Sequence, residues 1–518
     1  MLIIVSYVLI TLIIIFFQRF QLNQGIFKTV KKTSWFVSGL SLLMYYVSVE
    51  QGQMLSGIIE EKGIWGLWIF WPSTLGAAVI PIVFAPLWQK LDFITDNQFI
   101  LFRFSGKSAR FLHQFRSVYV GGIVVSFLLS FHVLAFSRVV ETWYNVPQQH
   151  AVIFVGLVLI IFALKNSFNV KIKVDGFHAL LYLLGIGIAF YFIYRASDGW
   201  PAAISHLESM GNGKTGLFPP AERHEEWGLF FVFLGVQWWS SQLFDGGGPE
   251  MARFTATKGP LSAMKAALFP IVVYSVLSLL MLVMVVLSLS LQKSVGHETG
   301  FIEVIHTVVP EWIKPLCLLG FFAMFISTSE SLMNWGASFL TIDFYKTYLS
   351  PSKSERHYSF VSFGTMALLS VFAVIIAANS ASLKQMILIV FSISAGVAPV
   401  YLLRWFWLRI NAWSQISAMI ASCLCTLIFH VLHQHFPGQL RFSSMNEFSV
   451  QVLMSTGITT IVWLIVTFST PKDDERVLLN FSKILPTKSE VIKRFGLAFT
   501  LGVVLLVLNL VVIFLLTA

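Results

Sequence analysis

The chain has 518 residues, 56% of them apolar and only 12% charged, with a mean hydropathy of +0.78; that composition excludes a water-soluble globule and belongs in a bilayer. Its formal net charge of +10 comes from basic residues scattered among short loops, which argues against nucleic acid as a partner and for a role in setting membrane topology. The three cysteines, Cys317, Cys423 and Cys425, lie in apolar runs and are odd in number, so neither a disulfide framework nor a thiolate metal site is implied.

The apolar run from Met1 to Phe17 has no basic segment before it and no small-residue cleavage site after it, which predicts a retained span rather than a cleaved signal peptide. Arg19, Lys28, Lys31 and Lys32 follow it, placing its trailing end in the cytoplasm and Met1 outside. With about 20 apolar residues per span, further helices are predicted near 35–57, 64–88, 113–137, 146–164, 174–194, 226–244, 262–291, 311–341, 358–379, 383–403, 411–433, 447–469 and 492–517. The reading is an all-α, polytopic protein of about fourteen spans. Loops after odd-numbered spans should then be cytoplasmic, and they hold 26 of the 35 Lys and Arg, which supports both the count and the orientation. Both termini are predicted to be extracellular or periplasmic, and the location a plasma (inner) membrane. The longest loop, roughly Arg195 to Glu226, carries no Walker sequence. An ion gradient is the remaining energy source, worth about 2.3 kcal/mol per charge per 100 mV.

Polar groups inside spans are costly and mark paths or sites. The second span reads SLLMYYVSVEQGQMLSG and carries Ser48, Glu50, Gln51, Gly52, Gln53 and Gly57 in its second half. The seventh reads GVQWWSSQLFDGGGPEMAR, where Asp245 and three glycines precede Pro249, so the backbone should open there. Spans 2–6 and 7–11 are five each, an odd number, so two such repeats would be inverted, and interrupted helices at matching positions point to a midplane site. The domain reading is 1–34 for a peripheral helix and cytoplasmic loop, 35–196 for the first repeat, 197–225 for an extracellular loop, 226–409 for the second repeat and 410–518 for three peripheral helices. Ordinary interhelical polar patches would use the same residues. In the ninth span Ser327, Ser331, Asn334 and Ser338 recur at helical spacing, with Thr328, Glu330 and Thr341 beside them. Such a stripe fits a hard alkali cation, and it equally fits helix packing through small polar residues.

The segments SLLMYYVSVEQ, QWWSSQLFDGGGPEMARFTATK, FISTSESLMNWGASFLTIDFY and LLRWFWLRINAWSQISAM occur in the order seen in the sodium/solute symporter family, which this chain resembles from the second to the twelfth span. The resemblance implies a leucine-transporter-like fold of five plus five inverted helices with extra helices at both ends. It also implies a sodium-coupled symporter for a small polar organic solute, a sugar, an amino acid or a carboxylic acid, with sodium co-transported. Matched motif to motif, the main sodium site falls on the carbonyls of Met44, Val47 and Met324 and the side chains of Ser327 and Thr328. A second cation site, present in some members, maps to Asp175 and Ser331, with Glu330 where several members carry a hydroxyl. Two carboxylates there would attract a second sodium or share a proton; the plainer reading is a neutral Glu330 against a neighbouring helix. For the solute, the family's positions fall on Gln51 and, near the second break, on Gln237, Trp238 and Trp239; tryptophan at a helix end also serves as an interfacial anchor.

His430, His433 and His435 lie close together but lack a carboxylate or cysteine to complete a metal set. Arg404 and Arg409 are expected to anchor their helix at the cytoplasmic edge. The rivals are a non-transporting receptor on a transporter scaffold and a membrane-embedded enzyme; no HExxH, paired catalytic carboxylates or serine elbow supports the latter.

Overall fold

In a bilayer every backbone polar group must be satisfied within the segment or against protein, and the apolar runs of this chain resolve accordingly into helices. A computed structural model describes residues 33–91, 93–163, 168–211, 213–240, 245–292, 298–435 and 447–517. The expected first span, Met1 to Phe17, lies outside the described residues. The helices are α1 Trp35–Tyr46, α2 Gln51–Lys62, α3 Ile64–Lys90, α4 Gln98–Arg103, α5 Gly106–Tyr144, α6 Gln148–Ala163, α7 Phe168–Ala196, α8 Trp200–Ser209, α9 224–240 and α10 Pro249–Thr255. They continue as α11 Pro260–Leu289, α12 Gly300–Val308, α13 Lys314–Leu349, α14 Glu355–Ala378, α15 Leu383–Phe406, α16 Ala412–His435, α17 Glu447–Ser469, α18 Glu475–Ser482 and α19 Lys488–Thr517. Among the described residues ten helices are long and apolar enough to cross a membrane, and the sole β feature is an isolated bridge between Thr33 and Thr257.

Two boundaries move in ways that matter. α7 begins at Phe168, not near 174, so Lys171 and Lys173 sit inside the helix instead of in a loop. The long connection before α9 is not bare loop, because α8 lies within it.

α13 is the hub. Its most apolar stretch is 89% buried within the protein, against 22% for the peripheral α19. A helix so enclosed can carry polar groups, because they face other helices rather than lipid, and Ser327, Thr328, Ser329, Glu330, Ser331, Asn334 and Ser338 are all buried. Small residues let α7 approach it: a Cβ on Gly320 would stand 3.0 Å from the Gly185 Cα and 3.1 Å from the Leu181 carbonyl oxygen, and the Cys317 thiol lies 3.5 Å from the Gly185 carbonyl. This close crossing, of the kind that small residues permit in membranes, sets the spacing at which Asp175 on α7 meets Ser327 on α13.

Gly320→Leu should therefore force α7 and α13 apart and cost about 1–3 kcal/mol by overpacking, read as a lower thermal unfolding midpoint in detergent. Gly187→Leu, at an exposed position where an added Cβ meets nothing within 4 Å, should leave the midpoint unchanged. Equal effects from the two would sink this account of the contact.

Candidate ion and solute site

α1 opens on Ser34, whose side chain accepts from the Val37 amide, and it stops at Tyr46; Val47 is extended at φ −75° and ψ 130°. The helix restarts only at Gln51, so carbonyls at the end of α1 have no amide one turn on to bond. Two of them meet α13. The Thr328 hydroxyl oxygen lies 3.3 Å from the Met44 carbonyl oxygen and 3.3 Å from that of Val47. One hydroxyl proton cannot serve both, and 3.3 Å is long for an O–H···O bond, whose usual length is about 2.7–2.8 Å. The spacing suits another arrangement: oxygens about 2.4 Å from a hard cation and at right angles to each other stand about 3.4 Å apart. Met324 is buried one turn before Thr328 on the same helix.

Ser327 lies beside Thr328 and faces α7, where its hydroxyl donates to Asp175 Oδ1 at 2.5 Å. Asp175 is fully buried. Lys171, one turn earlier on α7, donates to Oδ1 at 2.8 Å and Oδ2 at 2.9 Å, and its ammonium lies 3.5 Å from the Ser327 hydroxyl. The Ser41 hydroxyl of α1 also donates to Oδ2. Arg253 on α10 approaches Oδ2 at 3.6 Å and donates to Ser41 at 3.0 Å and to Ser331 at 2.9 Å. The Ser331 hydroxyl in turn donates to the Ser327 carbonyl at 2.8 Å. Glu330 is buried on α13, and its Oε1 has no hydrogen-bond partner.

The residues expected around the solute are only partly brought together. Gln51 heads α2, half-buried at the break. Next to it, Glu50 accepts from the Ser48 hydroxyl and pairs with His132 of α5 at 3.0 Å. Trp238 stacks edge-on to Phe499 of α19 at 6.2 Å, and Trp239 donates to the Gly235 carbonyl at 2.9 Å and packs on the apolar cluster of Ala395 and Val452. Trp238 thus reaches α19, while Trp239 packs between α15 and α17. The backbone of Gln237 closes the wide turn of α9; its side chain lies outside the described residues.

The second break is fixed by charge. Gly246 and Gly248 adopt positive φ of 68° and 66°, a region open to glycine at no steric cost, and Pro249 starts α10. Asp245, fully buried, accepts from Arg404 and, at 2.9 Å, from the Trp405 indole of α15; its carbonyl accepts from Trp88 of α3. Arg404 orients its helix through a buried ion pair with Asp245. Beside it, Arg116 pairs with Asp96 at 2.6 Å and donates to the Tyr401 hydroxyl at 3.0 Å. Sequence reasoning missed Lys171, Arg253, His132 and this network. The i, i+4 spacing of Lys171 and Asp175 was a usable signal, hidden by the helix boundary.

At the far end of α2, a cavity of about 570 Å³ opens between Met54, Gly57, Glu61, Arg138, Glu298 and Lys384. Among the described residues no group of three or more His, Cys, Asp or Glu could hold a metal; His433 lies outside that description, and His435 bonds its own helix at the Val431 carbonyl.

A model of the sodium:solute symporter family matches residues 26–422. The chain is 20% identical to a sodium/glucose cotransporter of Vibrio parahaemolyticus over 511 residues, 93% of this chain and 92% of the relative. Among solved structures, it resembles a substrate-bound, outward-open Na+-coupled sialic acid symporter with a TM-score of 0.69 at 16% identity, covering 91% of this chain and 98% of the other. A nucleobase-cation-symport-1 transporter, Mhp1, aligns with a TM-score of 0.56 at 11% identity, over 89% of this chain and 99% of the other.

Asp245→Ala should strand Arg404 without a counter-charge and cost about 3–5 kcal/mol, seen as a large fall in the thermal midpoint. Adding Arg404→Met should recover much of the loss. A double variant no more stable than the single would refute the pairing as the cause.

Proposed function

The chain belongs to the sodium:solute symporter family, whose members are transporters and not enzymes, and we propose that it imports a small polar organic solute, a sugar, an amino acid or a carboxylic acid, by alternating access. It is a multi-pass membrane protein that couples sodium to a solute; a receptor without transport gains no support from this membership. The fuller architecture we propose is fourteen spans, with α1 to α7 and α9 to α15 as two inverted five-helix repeats, in a plasma (inner) membrane with both termini outside. The end carrying Arg103, Arg116 and Arg404 is then cytoplasmic.

One observation carries the ion site: the Thr328 hydroxyl stands between the Met44 and Val47 carbonyls at the break between α1 and α2. Sodium would bind these oxygens with the Ser327 hydroxyl and the Met324 carbonyl. Ser327 donates its hydrogen bond to Asp175 and receives a long contact from Lys171, which leaves one lone pair for the ion. The solute would bind beside the break, next to Gln51, with Gln237, Trp238 and Trp239 of α9 as the further candidates. The cavity beyond α2 supports entry from the outside. Sodium binding would favour the outward-facing state and tighten solute binding, and solute must tighten sodium binding by the same factor.

Sodium should raise the thermal midpoint of the purified protein where potassium does not, and a solute screen in sodium should raise it further. A hydrogen-bonding group toward an ion contributes about 1.5–3 kcal/mol, so Ser327→Ala with Thr328→Ala should demand at least about tenfold more sodium for the same shift. An unaltered sodium response in that double variant would rule out the site.

A further inference from the structure

The second cation position that the family resemblance marks out is built from Asp175 and Ser331, and in this protein both face cations of the chain itself. A carboxylate offers about four lone-pair positions. At Asp175 two are filled by Lys171, one by Ser327 and one by Ser41. Ser331 has one proton, given to the Ser327 carbonyl, while its oxygen accepts from Arg253. Lys171 is 3% exposed and Asp175 fully buried, so the ammonium has no water to return to. Its attachment four residues earlier on the same helix presents it to the carboxylate at no cost of association.

We infer that the Lys171 ammonium is a tethered replacement for a second co-transported cation: it neutralises Asp175 permanently, and the protein binds one sodium ion, at the α1–α2 break. This deepens the proposed sodium-coupled reading and rests on it. A mobile sodium at Asp175 would have to displace Lys171 from both oxygens and share the pocket with it and with Arg253, three like charges in a space without solvent. A relative lacking this lysine would expose the carboxylate to the ion that Lys171 excludes here. The ammonium touches Ser327 at 3.5 Å, so it also holds one ligand of the remaining sodium in place from behind.

The test is equilibrium binding of radioactive sodium to the purified protein, with sodium titrations of the thermal midpoint. The unaltered protein should bind one sodium, with a Hill coefficient of about 1. Lys171→Gln should bind two, with the coefficient rising toward about 2, while Lys171→Arg keeps the charge and should stay at one. Should Lys171→Gln fail to fold, Lys171→Met combined with Asp175→Asn removes both charges together and should still bind one. Two sodium ions on the unaltered protein, one on a folded Lys171→Gln, or none on the charge-free double variant would each overturn the inference. No binding by the unaltered protein would instead refute the sodium site at the helix break.

Discussion

A carboxylate inside a membrane protein, out of reach of water, must be surrounded by donors, and Asp175 draws them from several helices at once. Ser41 reaches it from α1, Lys171 from its own α7, Ser327 from α13, and Arg253 from α10 completes the set through Ser41. Helices in lipid gain no hydrophobic energy from meeting each other, so relative position must come from close packing and from clusters of this kind. The Gly185–Gly320 crossing fixes how near α7 and α13 come. Asp175 then fixes their register, because a slip of one residue would leave a buried charge without partners, and that is far more costly than a lost surface pair.

The two broken helices are held in different ways. Around the second break, Asp245 binds Arg404 and Trp405 of α15, and its backbone binds Trp88 of α3; neighbouring Asp96, Arg116 and Trp335 extend the same set. These are short, charge-assisted contacts that lock backbone to side chains. The first break has Glu50 with Ser48 and His132 on one side, the Gln53 amide on the Val49 carbonyl, and the long contacts of Thr328 with two carbonyls. Oxygen dipoles that point at one another without enough protons between them repel. A cation among them would convert that repulsion into attraction, as the proposed sodium site requires, whereas the second break is held by ion pairs of the chain itself.

Much of this was open to reading in the one-dimensional pattern. Hydropathy marks the spans because a bilayer admits few alternatives to an apolar helix; the glycine run before Pro249 marks the second break because the backbone there needs positive φ; and the hydroxyl stripe on α13 is visible because polar residues at helical spacing are rare in a span. What stayed hidden has a common physical cause. Lys171, Arg253, Arg404 and Arg116 are long cations at or beyond the edges of the apolar runs, where an apolar count stops and where such residues usually reach for the interface. The burial of the three arginines follows from carboxylates distant in sequence: Asp175 is 78 residues from Arg253, Asp245 is 159 from Arg404 and Asp96 is 20 from Arg116.

The sequence by itself determined that the chain is a helical membrane protein, roughly where its long apolar helices lie, and that the helical runs near Glu50 and Asp245 must break, because those properties depend on local composition and on the solvent. Only the tertiary structure decided which face each polar residue turns and what it meets there: Ser327 toward Asp175, Thr328 toward the α1 carbonyls, Trp238 of α9 toward Phe499 of α19. Those outcomes depend on how closely two helices approach, a distance set by the smallest side chains at their crossing and not by the polar residues whose partners it selects.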